Sequence, residues 1–220
     1  MLEKWTAIDN YISDLLVPAD PVLDAVLKAN ADAGLPAYDI SPCQGKLLYL
    51  LAKIQRANNI LEIGTLGGYS TIWLARALPE NGKLISLEYD PAHVKVAKAN
   101  IALAGLSGIV EVRLGPALDT LQELANGSFI PFDLIFIDAD KANNPHYLDM
   151  AIKLSRPGTV IIADNVIRNG DIINKESKDP SVQGIRAFYE KLSETQALDS
   201  IAVQTVGAKG HDGFSITIVS

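Results

Sequence analysis

The sequence predicts an α/β fold: a mostly parallel seven-stranded sheet with helices on both faces, ending in an antiparallel hairpin. Three observations predict it. From Asn59 onward, short apolar runs alternate with helical segments, the texture of right-handed crossovers in a sheet covered on both faces. The last two runs, Ile201–Val206 and Phe214–Val219, are joined only by Gly207–Gly213. That link is too short for a crossover, so the final strand should run antiparallel. Finally, 220 residues with 48% hydrophobic content suit one domain, residues 1–220, with a sizeable core and a helical N-terminal extension over 1–56.

In the extension, breaks fall at Pro18, Pro21 and the Gly34–Pro36 stretch. Asp20 before Pro21 is a cap followed by a first-turn residue, which predicts a helix through Asn30. Gln44 to Arg56 reads as a second helix, with Leu47, Leu48, Leu50, Leu51 and Ile54 giving a broad apolar face. Strands are then expected at Ile60–Ile63, Leu84–Glu88, Val110–Leu114, Phe132–Ile137 and Thr159–Ala163. Helices are expected at Ser70–Leu78, Pro91–Ala104, Ala117–Leu124, His146–Leu154 and Val182–Glu194. Trp5 and Trp73 read as packing residues, and Cys43 as a small apolar one.

Charge and cysteine content exclude several classes. The net charge is −7, with a pI near 4.9, so no basic field exists to hold nucleic acid or an anionic membrane. A single cysteine allows no internal disulfide, which suits a reducing cytoplasm. Met1 to Asn10 does not read as a secretory signal, and no apolar run approaches the ~20 residues that span a bilayer. A cytoplasmic, soluble protein is expected.

The glycine turn Gly64-Thr65-Leu66-Gly67-Gly68, inside Glu62–Ser70, follows the first strand. Glycines let the backbone approach a ligand, and the next helix offers free N–H groups. The spacing is G-x-x-G-G, not the G-x-G-x-x-G cradle that a pyrophosphate needs. Glu88 ends the second strand, where a carboxylate can bind both ribose hydroxyls. Taken singly, these are a tight turn and a solvated strand end. Together, at adjacent strand ends, they point to a nucleoside site.

A second set of polar residues follows the next two buried strands. Phe132–Ile137 runs into Asp138-Ala139-Asp140-Lys141, and Val160–Ala163 runs into Asp164-Asn165. If these strands are neighbours, Asp138, Asp164 and Asn165 converge at the carboxyl edge of the sheet, where such sheets bind ligands. Two bare carboxylates that close repel unless a cation lies between them. The donors are hard oxygens, which suit Mg²⁺ foremost, with Mn²⁺ or Ca²⁺ as alternatives. Cys43, His93, His146 and His211 show no zinc-ligand spacing. The plainer reading is that Asp164-Asn165 starts a loop and Asp138 caps a helix.

Glu62-Ile63-Gly64 with Gly68-Tyr69-Ser70, Phe136–Lys141, Ala163–Val166 and His211–Phe214 together resemble the cation-dependent O-methyltransferases of the caffeoyl-CoA and catechol type. The match runs from about Pro42 to the C-terminus. The resemblance implies a Rossmann-like class I methyltransferase fold and S-adenosylmethionine as methyl donor. It places Glu62, Gly64, Thr65 and Ser70 on that donor, Glu88 on its ribose and Ala117 beside its adenine. Asp140 and Tyr147 would lie near its methionine end, with Asp138 also close. Asp138, Asp164 and Asn165 match metal ligands, Lys141 a base, and Asn169 a polar substrate contact. A homodimer is implied as well. Ile12, Leu15, Leu16, Val22, Val26 and Leu27 are apolar enough to pack on the domain or on a second copy. The chain departs from the plant caffeoyl-CoA enzymes at Arg168, where they carry an aromatic residue. It departs also in residues 1–30 and in the polar loop 169–183.

The expected chemistry is transfer of a methyl group to one hydroxyl of a small aromatic acceptor with two adjacent hydroxyls. A phenol with pKa near ~10 is mostly protonated at neutral pH, and chelation of both hydroxyls lowers that value and aligns one oxygen. Lys141 is then the proton acceptor, together with Asp138 the catalytic pair. Its plainer role is a surface lysine paired with Asp140. His146 is an alternative base, although a lone histidine at a helix start is commonly a cap. Two other functions compete: a nicotinamide-dependent oxidoreductase, which needs a phosphate cradle, and a non-catalytic binder of S-adenosylmethionine.

Overall fold

The computed structural model describes residues 1–220. Eight α-helices and seven strands follow one another as α1 Leu2–Leu16, α2 Pro21–Asp32, α3 Pro42–Gln55, β1 Asn59–Ile63, α4 Tyr69–Ala75, β2 Lys83–Glu88, α5 Pro91–Leu103 and β3 Val110–Leu114. They continue with α6 Ala117–Asn126, β4 Phe132–Ile137, α7 Asn144–Lys153, β5 Ser155–Asp164, α8 Pro180–Glu194, β6 Leu198–Gly207 and β7 Gly210–Val219. Short 3-10 turns occupy Lys141–Asn143 and Arg168–Ile173.

The sheet order is β3-β2-β1-β4-β5-β7-β6. Every pair through β5 is parallel, and β7 runs antiparallel to both neighbours. The strand order reverses between β1 and β4, so their carboxyl ends open a crevice there. β4 is buried at all six positions, as a strand covered on both faces must be. One apolar cluster packs Ile60, Leu84, Leu134 and Phe136 under α2–α5, and the other packs Leu61, Ile63, Ile135 and Ile137 under α6–α8. Alternating strand positions thus feed opposite faces.

Helix starts are set by a recurring pair, a cap residue followed by proline. Asp20 accepts from Val22 and Leu23, Asp90 from Ala92 and His93, and Asp179 from Ser181. Ser41 and Gln44 form a reciprocal capping box. The same chemistry moves two expected starts: α3 begins at Pro42 rather than Gln44, and α8 at Pro180 rather than Val182.

The terminal hairpin is tighter than expected. Pairing continues through Val206↔His211 to Gly207↔Gly210, which leaves Ala208 and Lys209 as the turn. Asp212 and Gly213 therefore lie on β7. In the N-terminal extension, Leu23 and Val26 are buried, whereas α1 buries no residue and leaves Tyr11, Leu15 and Leu16 exposed. Trp73 is buried, edge-on to Tyr49 at 6.5 Å between ring centroids, as a packing residue. No helix is long and apolar enough to cross a membrane.

Candidate active site

A cavity of about 1220 Å³ opens at the carboxyl ends of the strands. Its wall includes the glycine turn, Glu88, Ala117, the Asp138–Lys141 run, Tyr147 and Asp164–Asn165. The strap Ala37–Ser41 and the β6–β7 turn close its far side.

The turn is fixed from below and from the side. Gly64 has φ +96°, and a Cβ there would stand 2.3 Å from the Asp138 carbonyl oxygen. Only glycine lets the ends of β1 and β4 approach so closely. The Leu66 N–H donates to Glu88 Oε2 at 2.9 Å. Glu88 Oε1 accepts from the Tyr89 and Asp90 N–H groups at 2.9 and 3.0 Å. A carboxylate offers about four acceptor sites, so capacity remains for a ligand.

Glu62 does not line the cavity. It is fully buried at the end of β1, behind Ser70, and accepts hydroxyl hydrogen bonds from Ser70 (2.6 Å), Thr71 (2.5 Å) and Ser86 (2.6 Å). Burial pushes its pKa up to about 7, against those three donors and with a smaller push from Asp138. Its connection to the cavity therefore runs through Ser70, which does line it. Ser86 stands opposite Glu62 in the β1–β2 register. A serine in the middle of a buried strand was the available signal for this pair.

A second support was not visible in the sequence. Asn100 Nδ2 donates to the Gly67 carbonyl oxygen at 2.8 Å and to Asn30 Oδ1 at 2.9 Å, and Asn30 Nδ2 donates to Asp39 Oδ1 at 2.9 Å. Burial pushes the Asp39 carboxyl up. These three residues, from α2, α5 and the strap, meet only in the folded chain. They tie the glycine turn to the strap.

The acidic residues converge as expected from neighbouring strands. Asp138 follows β4, and its N–H donates to the Ile63 carbonyl oxygen at 2.9 Å. Asp164 ends β5 and is buried. Burial first, and the Asp138 carboxylate second, push its pKa up to about 7, opposed by Lys141. Asn165 holds a left-handed φ of +57° beside it. Lys141 is buried, and its Nζ donates to Asp138 Oδ1 at 2.6 Å, not to Asp140. Asp140 instead accepts from the Tyr147 hydroxyl at 2.5 Å. Burial, then Asp140, push the Tyr147 hydroxyl well above its usual value.

No group of three or more His, Cys, Asp or Glu side chains stands in metal-holding geometry. The donor set is two carboxylates and one amide oxygen, all on the cavity wall. It fits a hard cation chemically. Asp164 is a carboxylate raised by burial and then by its neighbour Asp138, and a nearby positive charge would offset both.

Asn169 and His146 are exposed and lie off the cavity wall. Asn169 has φ +55° in the 3-10 turn, and its neighbour Arg168 occupies the wall in its place. Asp212 supports that turn: its Oδ1 accepts from the Ile167, Arg168 and Gly213 N–H groups at 3.0, 3.2 and 3.0 Å.

The strand order with its single antiparallel member defines a Rossmann-like methyltransferase fold. The chain belongs to the O-methyltransferase family, whose model matches residues 14–214. It is 52% identical to a catechol O-methyltransferase of Niastella koreensis, over 98% of this chain and 97% of that one. With a catechol O-methyltransferase of Mycobacterium tuberculosis the identity is 50%, over 96% and 94%. Among solved structures, an O-methyltransferase from Bacillus cereus in complex with SAH (S-adenosylhomocysteine) matches at a TM-score of 0.99 and 57% identity over the whole of both chains. One from Streptomyces achromogenes, involved in tomaymycin synthesis and bound to SAM (S-adenosylmethionine), matches at 0.97 and 43%, over 100% of this chain and 98% of that one. The protein is thus an enzyme that transfers the methyl group of S-adenosylmethionine to oxygen. This excludes the nicotinamide chemistry that the glycine spacing already disfavoured.

Proposed function

We propose that this enzyme is divalent-cation-dependent and methylates one of two adjacent hydroxyls on an aromatic acceptor. One observation carries the reading: Asp138, Asp164 and Asn165 share the wall of the cavity that holds the glycine turn, and Asp164 is raised by burial and then by Asp138. The names of the relatives from Niastella koreensis and Mycobacterium tuberculosis support a catechol-like acceptor.

In this reading Gly64, Thr65, Ser70 and Ala117 border the donor's adenosine, and Glu88 takes its ribose hydroxyls. Glu62 acts from behind by orienting Ser70. Asp140, held by Tyr147, faces the amino-acid end of the donor. Asp138, Asp164 and Asn165 hold the cation. A bound divalent ion supplies a Lewis acid that lowers the pKa of a chelated hydroxyl and aligns it. Lys141, positioned by Asp138, gives up one proton to water before turnover and, as the neutral amine, takes the hydroxyl proton. Alignment of donor and acceptor in one cavity supplies much of the remaining acceleration.

The test is methylation of a catechol by enzyme dialysed against EDTA. Activity is expected to disappear and to return with Mg²⁺, while S-adenosylhomocysteine binding persists throughout. Full turnover without metal would leave a metal-independent transfer based on the Lys141–Asp138 pair. In that second reading Asp138, the carboxylate of the Lys141–Asp138 ion pair, accepts the hydroxyl proton.

A further inference from the structure

The cavity wall is mainly acidic, and its few cations are mostly committed. Lys141 is paired with Asp138, and Lys209 Nζ donates to the Ala37 carbonyl oxygen at 3.0 Å. Arg168 differs. It lines the cavity, and its Nε is buried without a hydrogen-bond partner. None of the seven salt bridges includes it. Asp212 meets the backbone here and not the guanidinium: its Oδ1 accepts from three backbone N–H groups, one of them Arg168's own.

The backbone is also held at a cost to put this side chain there. Arg168 and Asn169 have φ of +54° and +55°, and Asn165, three residues earlier, has +57°. Non-glycine residues in that region cost about 1 kcal/mol or more each and persist only when their surroundings hold them. The surroundings do so here. The Val166 N–H donates to the Gly213 carbonyl oxygen at 3.0 Å, the Tyr189 hydroxyl donates to the Val166 carbonyl oxygen at 3.1 Å, and Asp212 takes the next two N–H groups.

A partly buried guanidinium with unpaired donors is an unmet demand for a planar, two-oxygen anion. The residues assigned above to donor and cation lie at the β1, β2, β4 and β5 ends, whereas Arg168 stands beside Asp212 of β7, on the part of the wall that reading leaves to the acceptor. We propose that Arg168 selects acceptors carrying a carboxylate in addition to the hydroxyl pair, by a two-point hydrogen-bonded ion pair. This rests on the dihydroxy-aromatic reading above. Elsewhere on a wall rich in aspartates such an anion would be repelled.

The experiment compares 3,4-dihydroxybenzoate with its neutral amide, 3,4-dihydroxybenzamide, in the Mg²⁺-loaded enzyme. The readout is the acid-to-amide ratio of kcat/KM. Arg168→Asn removes the charge and keeps a residue that tolerates positive φ. The ratio is expected to fall about 10- to 100-fold, mainly through the KM of the acid, as loss of a charge-assisted pair implies. Arg168→Lys should retain part of the preference, because charge remains and the fork is lost. Binding of S-adenosylhomocysteine by calorimetry reports that each variant is folded; if Arg168→Asn fails there, the Arg168→Lys ratio decides. A ratio within twofold of wild type, or equal loss on both acceptors, overturns the proposal alone. Methylation of neither acceptor by wild-type enzyme that binds S-adenosylhomocysteine brings down the dihydroxy-aromatic reading, and this one with it.

Discussion

The two ends of the sheet treat a buried carboxylate in opposite ways. At the amino end of β4, Asp133 accepts from the Asn58 and Asn59 N–H groups at 2.7 and 3.0 Å and from Arg156 at 2.5 Å. Burial pushes it up, but those partners outweigh burial and hold it below the usual carboxylate range. At the carboxyl end of β5, Asp164 is equally hidden, yet it accepts from the Asn165 N–H, at 2.8 Å, and from no cation, and its pKa is pushed up to about 7 by burial and then by Asp138. The first carboxylate is complete in the folded chain and locks the edge of the sheet. The second is left incomplete beside Asp138. A folded chain tolerates incompleteness of that kind where a ligand finishes the site.

Replacing each carboxylate tests the contrast, and the largest effect belongs to Asp164→Ala. Methyl transfer should fall by about 10³-fold or more, since a cation ligand and the alignment it provides are lost together. Stability should not fall in parallel, because a buried carboxylate repelled by its neighbour is removed; Tm at pH 8 is expected to hold or rise. Calorimetry with S-adenosylhomocysteine should show binding largely retained. Equal loss of turnover and of S-adenosylhomocysteine affinity would make Asp164 a part of the donor pocket or fold instead.

Much of this site is legible in the sequence because strand ends are legible. Phe132–Ile137 and the run before Asp164 are uninterrupted apolar segments, so the polar residues after them had to lie at the carboxyl edge. The glycine turn was readable for a similar reason. What stayed hidden is made by residues distant in sequence. Asn30, Asn100 and Asp39 carry no periodic signal and meet only through tertiary packing. Arg168 gained its place because Asp212 sits on β7 rather than in a turn, and the extent of that hairpin is set by pairing, not by the glycines at Gly210 and Gly213. The expected contact at Asn169 missed the wall by one residue, since left-handed backbone at both positions turns Asn169 outward.

Asp133→Ala should have a smaller effect of the opposite kind. It removes the shared partner of two part-buried backbone donors and of Arg156, a loss of about 3 kcal/mol. For a chain of this size that lowers Tm by roughly 6–12 °C. Because Asp133 lies at the far end of the sheet from the cavity, kcat/KM at 25 °C should stay within about twofold of wild type. The pH sense also differs from Asp164. A lowered carboxylate contributes stability that is present above its unfolded pKa and lost as pH falls through the lower folded value. Wild type should therefore lose at acid pH a contribution that the variant never had. A thermal melt that left Tm unchanged at pH 7 would show that Asp133 is not the lock.

Glu62→Gln should give the smallest shift and the most diagnostic sign. Glu62 sits at the carboxyl end of β1, yet three hydroxyls satisfy it, so it shares features of both carboxylates. Its folded pKa of about 7 lies above the ordinary 4.5, so the folded state holds a proton that the unfolded state releases between those values. The stability this contributes is complete below about pH 4.5 and is lost as pH rises through about 7. Glutamine stays neutral throughout and avoids that loss, although its amide must find acceptors among the same hydroxyls. The difference in Tm, variant minus wild type, should therefore become more positive by about 5–10 °C between pH 5 and pH 8. A flat difference across that range would mean the three hydroxyls compensate the buried charge fully. Glu62 would then belong with Asp133 as a completed carboxylate, and the contrast would run between individual strand positions rather than between the two ends of the sheet.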